Sequence, residues 1–152
     1  GTNTIGMCLS PGHKTVKNIL VKEAFTVSFA TASTVIESDF VGIVSANQVP
    51  DKFELAGFTA TKGEHVDAPV IDQYPVALEC ELISYDPETH IMLGNIVNVS
   101  AAEDVVDENG YIDAGKVQPI TYDGISHYYH VLGDVVGNAF EDGKILKAKL
   151  GI

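Results

Sequence analysis

Four side chains able to hold an anion fall within six residues: Ser10, His13, Lys14 and Thr15. They follow a Pro11-Gly12 break and precede Val16, Ile19 and Leu20, whose spacing predicts a short amphipathic helix over 15–22. A helix start presents backbone N–H groups without partners and the positive end of the helix dipole, so an anion is stabilised there. His13 and Lys14 would add basic charge to that position, and Thr15 a hydroxyl donor. The chain has 152 residues with 21 acids, and its nine basic residues are all lysines, so a basic cluster stands out against a net charge of −12. The same run also reads as a plain strand–turn–helix with a solvated lysine.

The elements that must position this run follow from hydrophobic periodicity. Residues 4–9 read as an apolar strand that stops at the Pro-Gly break. Phe25, Val27 and Phe29 alternate with Thr26 and Ser28, a strand period. Thr34 and Glu37 have the spacing of a capping box, and Ile36, Phe40, Ile43 and Val44 then give one apolar helix face. Pro50-Asp51 opens a second helical piece, with Phe53 and Ala56 on its inner side and Gly57 placed to end it. Val76, Leu78, Cys80 and Leu82 share one face of a strand, while Glu79 and Glu81 point the other way, toward water or an edge. Asp86-Pro87-Glu88-Thr89 is a turn, with a partner strand over 91–99, and Asp107-Glu108-Asn109-Gly110 is another turn. Residues 128–132 and 135–140 read as two closing strands joined at Gly133-Asp134. Helices in the first half and hairpins in the second predict an α+β, mainly β protein. Its expected form is a small antiparallel barrel with short helices on its flank, one domain over 1–152.

Composition narrows the function. Hydrophobic residues make up 45% and charged residues 20%, which suits a globular chain with a real core. The acidic balance argues against nucleic acid and against anionic membranes as partners. No apolar run approaches the ~18–20 residues of a membrane span, and no basic-then-apolar leader is visible, which predicts a cytoplasmic protein. Cys8 and Cys80 both lie in strand-like apolar runs and read as small buried hydrophobes, a disulfide having little support. There is no G-x-G-x-x-G, Walker A or G-x-S-x-G pattern. His127 and His130 are three apart on an expected strand and face opposite sides. An EF-type count from Asp104 puts Val106 at a ligand position and Asn109 where glycine is required, so no metal site is expected.

The stretch Asp51-Lys52-Phe53-Glu54-x-Ala56-Gly57-Phe58-Thr59 resembles a signature of the flavin reductase-like, FMN-binding split-barrel family, the group that includes flavoredoxin. The order of features continues the likeness: His13-Lys14-Thr15-x-Lys17-Asn18-Ile19, then Phe25-Thr26-Val27-Ser28, then Asp39-Phe40-x-Gly42-Ile43-Val44-Ser45. Ala68-Pro69-Val70-Ile71 and Leu78-Glu79-Cys80 follow, and Tyr128-Tyr129-x-Val131-Leu132-Gly133 and Val136-Gly137-Asn138-Ala139-Phe140 close the chain. Family members carry a leading segment of barrel strands, with an Asn-x-Met-type loop that helps hold FMN. The resemblance therefore implies a split barrel whose leading strands are absent here, and a flavin site incomplete on that side.

Carried over by position, the resemblance places FMN phosphate contacts on Ser10, His13, Lys14 and Thr15. It places the isoalloxazine side on Ser45, Ala46 and Asn47 and on Lys52. It implies two-electron flavin chemistry with no catalytic acid, base or nucleophile from the protein, using NAD(P)H in the manner of a flavin reductase. The other implied role is a flavoredoxin-like electron carrier serving a protein redox partner, or an FMN-binding protein without catalysis. The family also implies a homodimer with flavin at the interface.

Overall fold

Alternating apolar residues build the strands, and glycine, proline and aspartate break them. The computed structural model describes residues 3–152. In chain order the elements are β1 (Thr4–Cys8), α1 (Lys14–Lys22), β2 (Ala24–Ser28), a 3₁₀ turn (Ala32–Thr34), α2 (Val35–Ile43) and α3 (Lys52–Leu55). Then come β3 (Ala60–Lys62), β4 (Pro69–Ile71), β5 (Val76–Asp86), β6 (Ile91–Ala101) and a second 3₁₀ turn (Glu103–Val105). The chain closes with α4 (Ala114–Val117), β7 (Ile120–Asp123), β8 (Tyr128–Val131) and α5 (Gly143–Leu150).

A four-stranded antiparallel sheet in the order β1-β6-β5-β2 carries the core, and β3-β4 and β7-β8 form separate two-stranded ribbons. The protein is mainly β with several short helices, and among the described residues the strands do not close into a barrel. Helix α1 lays Val16 and Ile19 onto the sheet against Phe25, Cys80 and Met92, all nearly or fully buried. Each such side chain taken out of water stabilises the fold by roughly 1.5–3 kcal/mol. A second cluster joins Val76, Val105 and Val117.

The long β5–β6 hairpin turns at Asp86, whose carboxylate accepts from the Glu88 and Thr89 amides and the Thr89 hydroxyl. Its ladder carries two register shifts. Between Asn98 and Ile96, Val97 is the extra residue on β6; between Leu82 and Ser84, Ile83 is the extra residue on β5. These are β-bulges, one on each strand. Asp107 and Asp113, from the acidic stretch, turn their carboxylates onto backbone amides of the following turn and of α4.

Several expectations are corrected. Thr34 is the N-cap residue of α2, but its side chain makes no capping bond there: the Thr31 amide donates to its hydroxyl at 3.1 Å, so the capping box starts three residues earlier, at Thr31. The expected apolar face of α2 is not buried, since Ile36 is 78% and Ile43 75% exposed. Cys8 is exposed because β1 is an edge strand whose inward positions are Ile5 and Met7; Cys80 is buried, and neither forms a disulfide. Glu79 is only 2% exposed, because β5 is a central strand and residues 63–68 cover its second face. Residues 135–140 are not a strand: β8 pairs with β7, and the chain ends in the helix α5, which the sequence reading missed.

Candidate functional site

The strand that delivers the anion-holding run is pinned at its end. The Leu9 amide donates to the His90 carbonyl at 2.8 Å, and the Leu9 carbonyl accepts from the Tyr85 hydroxyl at 2.8 Å. Burial, then the charges of Cys8 and Asp86, push the Tyr85 phenol upward and keep its donor proton in place. Beyond Leu9 the chain turns, with the His13 amide donating to the Ser10 carbonyl, and α1 begins at Lys14. His13 is the N-cap residue in extended geometry, its side chain makes no capping hydrogen bond, and the first turn of α1 has no acid. Ser10, His13, Lys14 and Thr15 are all exposed. A helix start with neither a capping side chain nor an acid keeps its N–H donors and dipole available to an outside anion.

The second group of predicted residues lies where α2 ends. The Val44 amide makes the last helical bond to the Phe40 carbonyl, and the chain then turns through Ser45, whose carbonyl accepts from the Gln48 and Val49 amides. The Ser45 hydroxyl accepts from the Asn47 amide at 3.3 Å, and Ala46 is half-buried between them. Lys52, from α3, reaches back to this helix end: its ammonium donates to the Val41 carbonyl and, at 2.7 Å, to the Val44 carbonyl. A cation there complements the negative end of the helix dipole. Burial lowers the Lys52 pKa from its ordinary value. Lys52 thus positions the Ser45–Asn47 turn through the backbone.

The two groups meet. Asn47 Nδ2 donates to the Gly12 carbonyl at 3.0 Å, across 35 residues of sequence, tying the α2 turn to the loop before α1. Beside them opens a cleft of about 840 Å³, lined in part by Lys14, Thr15, Phe25, Phe53, Ala68 and Pro69. Part of its wall is Asp67, Ala68, Pro69 and Ile71, within the segment 63–71. Asp67 ties this wall to α1 through Lys22 at 2.6 Å, and the Thr26 hydroxyl donates to the Pro69 carbonyl. Of the predicted residues, Lys14 and Thr15 line the cleft.

Glu79 is the residue of this region whose role the sequence reading misplaced. One of its carboxylate oxygens accepts from the His65 and Val66 amides at 2.8 and 3.2 Å, and the other accepts from Asn98 Nδ2 at 2.9 Å. Burial acts to raise its pKa, but the hydrogen bonds from Asn98, His65 and Val66, with the nearby His65, lower it below the ordinary 4.5. A Cβ on Gly63 would lie 2.6 Å from the same carboxylate, so the wall closes over Glu79 only with glycine there. The signal was available: counting outward from the Asp86 turn places Asn98 opposite Glu79.

A split-barrel scaffold, mainly β, that presents an open helix start beside a cleft defines a class of small-ligand binding proteins. The family described as "Flavin reductase like domain" matches residues 3–128, and the chain belongs to it. The structure is similar to the flavoredoxin of Desulfovibrio vulgaris (Miyazaki F), with a TM-score of 0.87 and 33% identity over 92% of this chain and 75% of that one. It is also similar to a flavoredoxin from Methanosarcina acetivorans, with a TM-score of 0.83 and 26% identity over 94% of this chain and 75% of that one. An FMN-binding domain of a flavin reductases-like enzyme from Shewanella baltica OS155 shares the fold, with a TM-score of 0.77 and 16% identity over 89% and 73% of the two chains. In sequence the chain is 29% identical over 122 residues to an uncharacterized protein of Aquifex aeolicus (strain VF5). That match covers 79% of this chain and spans 62% of the relative's length.

Proposed function

We propose that this chain, as one flavin reductase-like domain over 1–152, binds FMN and serves two-electron transfer from NAD(P)H. The observation that carries the reading is the α1 start: acid-free, uncapped by any side chain, tied through Gly12 to Asn47, and opening on the cleft. That arrangement fits a ligand with a dianionic phosphate at one end and a flat ring at the other. Ser10, His13, Lys14 and Thr15 would hold the phosphate, and Ser45, Ala46 and Asn47 would face the ring, with Lys52 holding their turn. Bound flavin supplies the hydride and electron chemistry. The protein's own part is to bind and orient: helix-start amides and Lys14 neutralise phosphate charge, and the small residues at 45–46 let backbone approach the ring edge. No acid, base or nucleophile of the chain is required. Two cysteines without a disulfide support a reducing, cytoplasmic setting. No helix among the described residues is long and apolar enough to cross a membrane.

Lys14→Ala tests the phosphate assignment. FMN affinity is expected to fall by about 1–3 kcal/mol, the range for a hydrogen bond to a charged group, while riboflavin, which lacks the phosphate, is barely affected. Equal losses for both flavins would remove Lys14 from the phosphate site.

A second reading is favoured by the 33% identity to a flavoredoxin and by the net charge of −12. In it, the chain is an electron carrier whose acidic surface steers a basic redox protein. Steady-state NADPH oxidation with FMN separates the two, since only the reductase turns over with the nucleotide alone. In both readings the working unit is a homodimer.

A further inference from the structure

The β3–β4 hairpin is bonded to itself more than to the body. Beyond its paired strands the Gly63 amide donates to the Ala68 carbonyl at 2.9 Å, closing the tip over 63–68. At its base the Asp72 amide donates to the Thr59 carbonyl, and the Thr59 amide to Gln73 Oε1. Among the described residues, hydrogen bonds from 60–71 to the main sheet and α1 run at three places. Thr26 donates to the Pro69 carbonyl, Lys22 to Asp67, and the His65 and Val66 amides to Glu79. The first two lie at the surface, where such ties contribute little. The third is buried, and no lysine pairs with Glu79 among the described residues. A buried charge that lost its hydrogen bonds would bear the full cost of leaving water, so this tie is the firm one.

The sheet is built to make it. Thr26 stands opposite Glu79, and Glu79 opposite Asn98, a polar row across β2, β5 and β6. Asn98 holds one oxygen of Glu79, which leaves the other for the two amides, and Thr26 holds Pro69. The whole row is thus directed at one short segment of chain. That segment also makes part of the cleft: Asp67, Ala68 and Pro69 line it, while Glu79, His65 and Val66 do not. With the tip closed on itself by the Gly63–Ala68 bond, this wall cannot shift without the tip.

We propose that Glu79 is a positioning residue for flavin: it seats the β3–β4 tip and so fixes the wall of the cleft, touching no ligand itself. This rests on the flavin reading of the cleft and adds a residue outside it that governs its affinity. Gly63 belongs to the same device. A Cβ there would lie 2.6 Å from the Glu79 carboxylate and 3.0 Å from the Val66 and Ala68 carbonyls, which are backbone and cannot swing aside. Gly63→Ala therefore unseats the tip with the charge of Glu79 intact, and Glu79→Gln upsets the bonding with the glycine in place.

Flavin titrations of the wild type, Glu79→Gln and Gly63→Ala test it. Each chain is first shown folded by circular dichroism, and backbone amide exchange is recorded on the same samples. Both variants should bind FMN more weakly by roughly fivefold or more, the lower end of coupling between separate sites. Riboflavin should lose as much, unlike in Lys14→Ala, because the wall does not hold the phosphate. Amide exchange over 60–71 should quicken in both variants while that of β1 and β6 holds. Wild-type affinity in both variants overturns the proposal. So does a loss for FMN alone, which would put the effect at the phosphate, and so does faster exchange across the whole sheet, the mark of a merely structural role. A wild type that binds no flavin would sink the flavin reading and this proposal together, whereas normal wild-type binding with unaffected variants sinks the positioning role alone.

Discussion

The sheet and the C-terminal arm, residues 132–152, are made of similar residues and have opposite fates. In the sheet, Val16, Ile19, Phe25, Cys80 and Met92 lose nearly all contact with water around one helix and three strands, β2, β5 and β6. In the arm, Val135, Val136 and Phe140 remain over 90% exposed. The difference is topological. Residues 4–28 and 76–101 return on one another through antiparallel ladders, so each apolar face finds a partner within the same chain. The arm leaves after β8 and has no strand to return to. Apolar content alone does not make a core; the chain must also bring two apolar faces together.

That contrast can be broken by substitution. Met92→Ala removes the largest fully buried side chain and should destabilise the protein by about 2–5 kcal/mol in denaturant unfolding, the range for emptying a packed core site. If the loss is small, the sheet is not the independently stable part. Glu79→Gln comes next. Its carboxylate accepts at both oxygens, so an amide must turn a donor toward either the His65 and Val66 amides or Asn98. A loss of about 1.5–3 kcal/mol is expected, as for hydrogen bonds to a charged group.

The same residue gives a pH dependence. The folded pKa of Glu79 lies below the unfolded 4.5, so just below that value the unfolded chain binds more protons. Glu79 therefore contributes stability that is present above 4.5 and is lost as pH falls through the lower folded value. Unfolding followed from pH 5 downward should show a shallower decline in Glu79→Gln than in the wild type; parallel curves would assign acid sensitivity to other carboxylates. Phe140→Ala is the smallest effect. At concentrations where the chain is monomeric it should change stability by less than about 0.5 kcal/mol, as for a surface site without partners. A larger loss would mean that the arm packs on its own body.

Legibility in the sequence divides along the same line. The helix at 15–22 and the Asp86 turn were readable because local periodicity and turn chemistry fix them, and observed α1 differs by one residue at its start. Glu79 was misread because a period-two pattern reports which residues share a face and says nothing of what covers the other face. Residues 135–140 are apolar enough to read as a strand but have no partner strand, and strand pairing is a non-local property. In the candidate site, the run Ser10 to Thr15 was visible as a cluster, whereas the bond from Asn47 to Gly12 and the reach of Lys52 to Val41 and Val44 depend on the fold.

The two bulges of the β5–β6 hairpin act on register as a pair of offsetting frameshifts. Val97 adds a step on one strand and Ile83 adds a step on the other, so the pairing displaced between them is back in phase at Ser84 and Leu93. Neither residue is itself paired, so excising either one alone removes a bulge and leaves every pair of the ladder in place. Excising both would shorten the strands by one residue each and keep Val76 opposite Ala101 and Asp86 opposite Ile91. Either deletion should therefore act as a local straightening of its strand, removing bend and twist and not pairing, so that the hairpin tolerates a change of length that a deletion at any paired position would turn into a slip of register.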